Sequence, residues 1–154
     1  PKLLEVVSHM IDGSFRLTAE PLPIVTFPGK VSGCLKDGNW RGHTDGLSRP
    51  FLENEGKTAS IWLTFADIES SGGATTLIPG SHCFIEKMAV DPEFRAIKEE
   101  NNTYAAEDNL DGLNWNPKGI ILKAGGVFFF NDQTIDSASD NLLQQPRLVC
   151  VYGY

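Results

Sequence analysis

At 154 residues the chain suits one domain able to bury a core of its own. Hydrophobic residues make up 41% and charged residues 21%, an ordinary globular balance, and the net charge is −7. With no stripe of Lys or Arg, a nucleic-acid partner is not expected, and with no apolar run of spanning length neither is a membrane. Cys34, Cys83 and Cys150 are scattered without CxxC spacing, which excludes a zinc ribbon and predicts reduced thiols in the cytoplasm. Histidine is confined to His9, His43 and His82, so any metal site must lean on carboxylates.

The apolar positions Leu3, Val6, Val7, Met10 and Ile11 recur at the helical interval and predict a short helix over residues 3–11, with His9 off the stripe. The chain opens at Pro1 in what reads as mid-domain, so N-terminal elements are expected to be missing and no secretory leader is recognised. Leu22, Ile24, Val25 and Phe27 form an edge strand, because Pro21, Pro23 and Pro28 cannot serve a central one. Val31 to Lys36 is a further strand, closed by the Asp37-Gly38 turn signal. Asn39 to Asp45 then leads to Gly42-His43-Thr44-Asp45-Gly46, and the polar residues 46–57 read as a loop able to cover a pocket.

Residues 59–68 form the clearest strand, and 74–78 a second, so that 59–78 reads as a hairpin broken by Pro79-Gly80-Ser81-His82. Asp91 and Pro92 mark a helix start over 91–101, as N-cap and first helical residue. Residues 102–118 are irregular. Strands follow at 120–123 and 127–130 around the Ala124-Gly125-Gly126 turn, then a polar connection over 133–145 and a closing strand from Arg147. Many short strands with one or two helices predict a mainly β chain, an antiparallel sandwich or jelly roll.

His43 and Asp45 are two apart, and in extended chain both side chains point to one face, as two ligands of a single ion would. Alone, such a pair is as readily a surface pair at a strand end. Three further stretches give it weight. Ser60-Ile61-Trp62-Leu63-Thr64-Phe65 is followed by Gly72-Gly73 and Pro79-Gly80-Ser81-His82; Gly125-Gly126 precedes Val127-Phe128-Phe129-Phe130; and Arg147 follows Asp136. In this order the motifs resemble the phytanoyl-CoA dioxygenase (PhyH-like) family of iron(II)/2-oxoglutarate-dependent oxygenases, over roughly residues 30–154.

The resemblance implies a single double-stranded β-helix (jelly-roll, cupin-like) domain over 1–154 with flanking helices. It implies Fe(II) held by His43, Asp45 and Asp136, and 2-oxoglutarate as cosubstrate held by Arg147 and flanked by Trp62 and Thr64. The substrate would be a small molecule; no pattern fixes an oligomeric state. The chain departs from the family at three places. Asp136 stands where the family has its second metal-binding His, Ala138 where it has a Ser, and Gly126 where it has an Asp. A second carboxylate leaves the metal centre one negative charge richer, which favours harder cations and weakens oxoglutarate binding. Two alternatives to an active oxygenase follow: an impaired relative that keeps the pocket for binding or regulation, or a jelly-roll metal or sugar binder of unrelated chemistry. Asp136 also reads as a solvated turn residue, and Arg147 as a strand residue reaching solvent. His82 is a loop residue, and nothing argues for its pairing with Cys83.

Overall fold

The computed structural model describes residues 2–10, 20–29, 35–36, 39–45, 58–108, 110 and 112–153. The expected strand over 31–36 lies mostly outside these residues, and the loop over 46–57 wholly so. The elements are α1 (Lys2–Met10), β1 (Leu22–Thr26), β2 (Leu35–Lys36), β3 (Asn39–Gly42), β4 (Ala59–Thr64) and β5 (Thr75–Leu77). They continue with α2 (Ser81–Met88), α3 (Pro92–Glu100), β6 (Tyr104–Ala105), β7 (Lys118–Gly119), β8 (Val127–Asn131), β9 (Asp136–Ala138) and β10 (Arg147–Gly153).

Two antiparallel layers form a double-stranded β-helix. The first is a four-stranded sheet in the order β1-β10-β4-β8. Its register aligns Leu22, Val151, Trp62 and Phe128 in one row, and Ile24, Val149 and Thr64 in the next. Side chains in such rows share a face, and this one is the inner face. Trp62, Phe130 and Val149 pack there with Ile68 and Ala74, against Ile24 and Leu77. The opposite face carries Ile61 and Phe129, which meet Val7 of α1. Val7 of α1 is fully buried, whereas Leu3, Leu4 and Val6 stay substantially exposed.

The second layer joins the sheets β7-β5-β9 and β2-β3-β6. The seam is an antiparallel bridge at which His43 and Asp136 exchange both main-chain hydrogen bonds at 2.8 Å. Behind this layer α2, α3 and the segment around Trp115 bury Ile78, Ile85, Tyr104 and Ile135. The helix expected at Asp91 forms as anticipated, with the Asp91 carboxylate accepting from the Glu93 and Phe94 amides.

Three expectations are corrected. Residues 59–78 are not a hairpin: β4 pairs with β10 and β8, while β5 pairs with β7 and β9 in the other layer. The turn between them carries the chain across the sandwich, as a jelly roll requires, and two strands in sequence look the same in either arrangement. The connection over 133–145 contains β9. It is polar yet largely buried, because its main chain is paired on both sides, to β5 and to His43. Finally α2 follows Pro79-Gly80 directly. It has no side-chain N-cap to announce it, and Gly80 enters it in the left-handed region at φ 82°.

Candidate active site

His43 continues β3 as a bridge residue, and the side chains of His43 and Asp45, two apart, point to one side. Asp136 joins them from the neighbouring strand, directly opposite His43 across the bridge. Residues opposite one another on antiparallel strands present their side chains to the same face. Three donors thus converge, with one ligand atom from each lying within 4.8 Å of the others. His43 Nε2 stands 3.3 Å from Asp45 Oδ1 and 4.0 Å from Asp136 Oδ1. Gly42 makes this approach possible: a Cβ there would lie 2.7 Å from the Asp136 carbonyl oxygen and 2.5 Å from the Trp40 ring.

The electrostatics of this cluster suit a cation. Burial pushes the Asp136 carboxyl up to about 8; the Asp45 charge adds to the rise and His43 opposes it. The His43 imidazole is raised, first by its hydrogen bond to Asp45, with burial working against it and the charge of Asp136 in favour. Asp136 Oδ1 is buried without a hydrogen-bond partner, an expensive state for an acceptor. Two carboxylates and one imidazole, with one oxygen left unsatisfied, form a donor set that fits a divalent metal ion.

The cluster lines a cavity of about 660 Å³, which also reaches Trp62, Thr75, Ala138 and Arg147. That volume accommodates a small molecule. Asp136, expected as either a ligand or a solvated turn residue, is only 3% exposed. Arg147, on β10, is likewise 3% exposed and does not reach into solvent. Its Nη1 donates across the sandwich to Thr75 Oγ1 at 2.9 Å, and its guanidinium carbon lies 5.9 Å from the centre of the Trp62 ring. Its Nε is buried without a partner, and burial lowers its pKa. Among the described residues no carboxylate lies within ion-pair distance of it.

Thr64 is the one expected site residue that the structure keeps out of the cavity. It shares the inner face with Trp62, but its hydroxyl donates to the Lys123 carbonyl at 2.9 Å, closing the turn before β8. Thr75 is the residue that sequence reasoning passed over; it stands opposite Ala138 on β5, a pairing that leaves no signal in the sequence. His82 and Cys83 meet after all, with Sγ 3.3 Å from Nε2, at the start of α2 and outside this cavity. Cys83 and Cys150 are both free thiols.

No curated protein matches this sequence. Solved structures match almost its whole length. The epimerase SnoN in complex with Fe3+, alpha ketoglutarate and nogalamycin RO superposes with a TM-score of 0.72 at 20% identity, covering 99% of this chain and 54% of its own. EctD from S. alaskensis with 2-oxoglutarate and 5-hydroxyectoine gives 0.64 at 14%, covering 99% and 48%. AviO1 from Streptomyces viridochromogenes Tue57 gives 0.63 at 15%, covering 99% and 56%. The chain therefore spans about half the length of these proteins, and at such identities the likeness concerns the fold. A family model goes further: the one described as Phytanoyl-CoA dioxygenase (PhyH) matches residues 38–149, from the start of β3 into β10, a span that takes in His43, Asp45, Asp136 and Arg147. The chain belongs to the phytanoyl-CoA dioxygenase (PhyH) family.

Proposed function

We propose that this chain is the jelly-roll domain of an iron(II)/2-oxoglutarate-dependent oxygenase that hydroxylates a small molecule. The observation that carries this reading is the pairing, in one cavity, of a three-donor cluster with a buried cation that lacks a carboxylate partner among the described residues. A desolvated guanidinium without a counter-charge is costly unless a ligand supplies one. A dicarboxylate chelating a metal ion at one end supplies it at the other.

In this reading His43, Asp45 and Asp136 hold Fe(II). The bound ion would supply chelation of the 2-oxo acid and activation of dioxygen. Arg147 binds the far carboxylate with its free guanidinium edge, and the Thr75 hydroxyl keeps that guanidinium from rotating. Trp62 covers the guanidinium and excludes water from it. The small-molecule substrate occupies the rest of the cavity, where Leu22, Ile24 and Val151 form an apolar wall. A cytoplasmic location, one domain and no nucleic-acid partner complete the reading.

A second reading has a specific observation in its favour. Asp136 in place of a histidine, with its carboxyl held neutral by burial, weakens the hold on iron. The chain would then be a catalytically impaired relative that uses the pocket for binding or regulation. Succinate formation from 2-oxoglutarate, dependent on added Fe(II), separates the two readings. The oxygenase reading expects turnover in the wild-type chain and a rise in both iron affinity and turnover in Asp136→His. Saturable oxoglutarate binding with no succinate in either protein would overturn it in favour of the binding module.

A further inference from the structure

The peptide between the two donors of the His-x-Asp pair is gripped by a side chain that belongs to neither sheet. β3 pairs with β6 through Arg41 opposite Ala105 and Gly42 opposite Tyr104. Continued by two residues, that register sets Thr44 against Asn102, but the strand pairing has already ended. The Asn102 side-chain amide stands in for the missing strand. Its oxygen accepts from the Thr44 amide at 3.2 Å and from the Thr44 hydroxyl at 3.1 Å, and its NH2 donates to the Thr44 carbonyl. All three hydrogen-bonding groups of Thr44 are thus held by one side chain, and Thr44 is fully buried.

The geometry has a consequence for the donors on either side. The main chain of His43 is bonded to Asp136 on β9, and the main chain of Thr44 is bonded to Asn102 on the opposite edge. Alternate residues bonded to opposite neighbours is the pattern of a central strand. It is here carried two residues beyond β3, through the main-chain bridge at His43 and then, at Thr44, by a side chain alone. Alternation is what sends His43 and Asp45 to the same side, so the extended state of Thr44 sets the angle between them. Without Asn102 the peptide is free to turn, and the Asp45 carboxylate swings relative to the imidazole.

We infer that Asn102 is a positioning residue for the metal centre: it acts through Thr44 to fix the mutual geometry of His43 and Asp45. The inference rests on the metal-binding reading above. Outer-sphere partners that orient a ligand change metal affinity by about 10- to 100-fold when removed.

The test titrates Mn(II) into the metal-free protein and follows free Mn(II) by electron paramagnetic resonance. Four chains are compared: wild type, His43→Ala, Asn102→Ala and Asn102→Asp. The expected result is saturable binding in wild type, none in His43→Ala, and a Kd raised about 10- to 100-fold in Asn102→Ala. Asn102→Asp keeps the accepting oxygen but loses the amide donor, so its Kd is raised by less; it is the variant to read if the alanine protein does not fold. Amide hydrogen exchange without metal supplies an independent readout, with the Thr44 amide protected in wild type and exposed in Asn102→Ala. A wild-type Kd in the folded Asn102 variants, with His43→Ala abolished, overturns this inference alone. No Mn(II) binding by wild type overturns the metal reading and this inference with it.

Discussion

Asp136 makes the metal-free protein sensitive to pH in a direction that can be worked out in advance. Its carboxyl is raised to about 8 by burial, with the Asp45 charge adding to the rise. In the unfolded chain it titrates in the usual carboxylate range. Between that range and about 8 the folded state therefore carries a proton that the unfolded state has lost, and stability falls as pH rises through this window. One full proton of difference is a slope of about 1.4 kcal/mol per pH unit. From pH 5.5 to 7.5 the loss is then at most about 3 kcal/mol, or roughly 6 to 12 °C in Tm for a domain of this size. His43 contributes in the same direction. Its pKa is raised, chiefly by Asp45, so the stability it adds is present below the ordinary imidazole range and is lost as pH rises through the raised value. Asp136→Asn separates the two, because a buried amide has no proton to lose and the variant keeps only the His43 part. The assay is thermal unfolding followed by circular dichroism in chelator, from pH 5 to 8.5, then repeated with Mn(II). The asparagine variant should match wild type near pH 5, exceed it at pH 8 without metal, and gain nothing from Mn(II). Wild type should gain more from Mn(II) as pH rises, since metal binding requires the ionised carboxylate. A flat metal-free curve for wild type, or the same slope in both proteins, refutes the assignment of Asp136 as a buried acid held for a cation.

Arg147→Lys keeps the charge but loses the planar fork, and should weaken oxoglutarate binding roughly 10- to 100-fold, by the loss of one charge-assisted hydrogen bond, while leaving Mn(II) affinity unchanged; isothermal titration of both ligands reads this. Thr75→Val removes the acceptor that Arg147 Nη1 now has, and should raise the oxoglutarate Kd by about 3- to 10-fold, corresponding to roughly 1 kcal/mol; an unchanged Kd would mean that the guanidinium needs no such stop. Gly42→Ala places a methyl group 2.7 Å from the Asp136 carbonyl oxygen, which is main chain and cannot rotate away. It should cost about 1–3 kcal/mol of stability and depress Tm by roughly 3 to 10 °C, with Mn(II) affinity falling as the bridge between His43 and Asp136 opens.

Much of the fold was legible because local chemistry announces it. Proline punctuation placed β1 at an edge, and among the described residues it pairs on one side only, with β10. Asp91 and Pro92 marked the start of α3, where the Asp91 carboxylate caps the helix by accepting from the Glu93 and Phe94 amides. The misses share a cause. The partners of β4 and β5 depend on which layer each strand enters, and pairing between layers leaves no trace in a stretch of some twenty residues. β9 was hidden for a different reason. Asp136, Ser137 and Ala138 lack the apolar alternation by which a strand is recognised, because the strand forms a wall of the site and spends its side chains on polar work rather than packing.

The site divides along the same line. His43 and Asp45 were visible because their relation is one of spacing, and spacing survives without a structure. Asp136 belongs to the pair only through a main-chain bridge between segments far apart in sequence, so it could be nominated by resemblance and not by any property of its own neighbourhood. That bridge also bears on why an aspartate can stand there at all. A shorter side chain than histidine has less reach, but a residue directly opposite His43 needs little, and its Oδ1 already lies 4.0 Å from His43 Nε2. Two donors about 2.1 Å from one ion at right angles stand about 3 Å apart. In the proposed metal site, the closure required of this pair is thus about an ångström from its present 4.0 Å, within the range of a side-chain torsion. What the substitution changes is charge rather than geometry. It adds a carboxylate that burial holds protonated up to about pH 8, and in the oxygenase reading proposed above metal binding would release that proton below this pH.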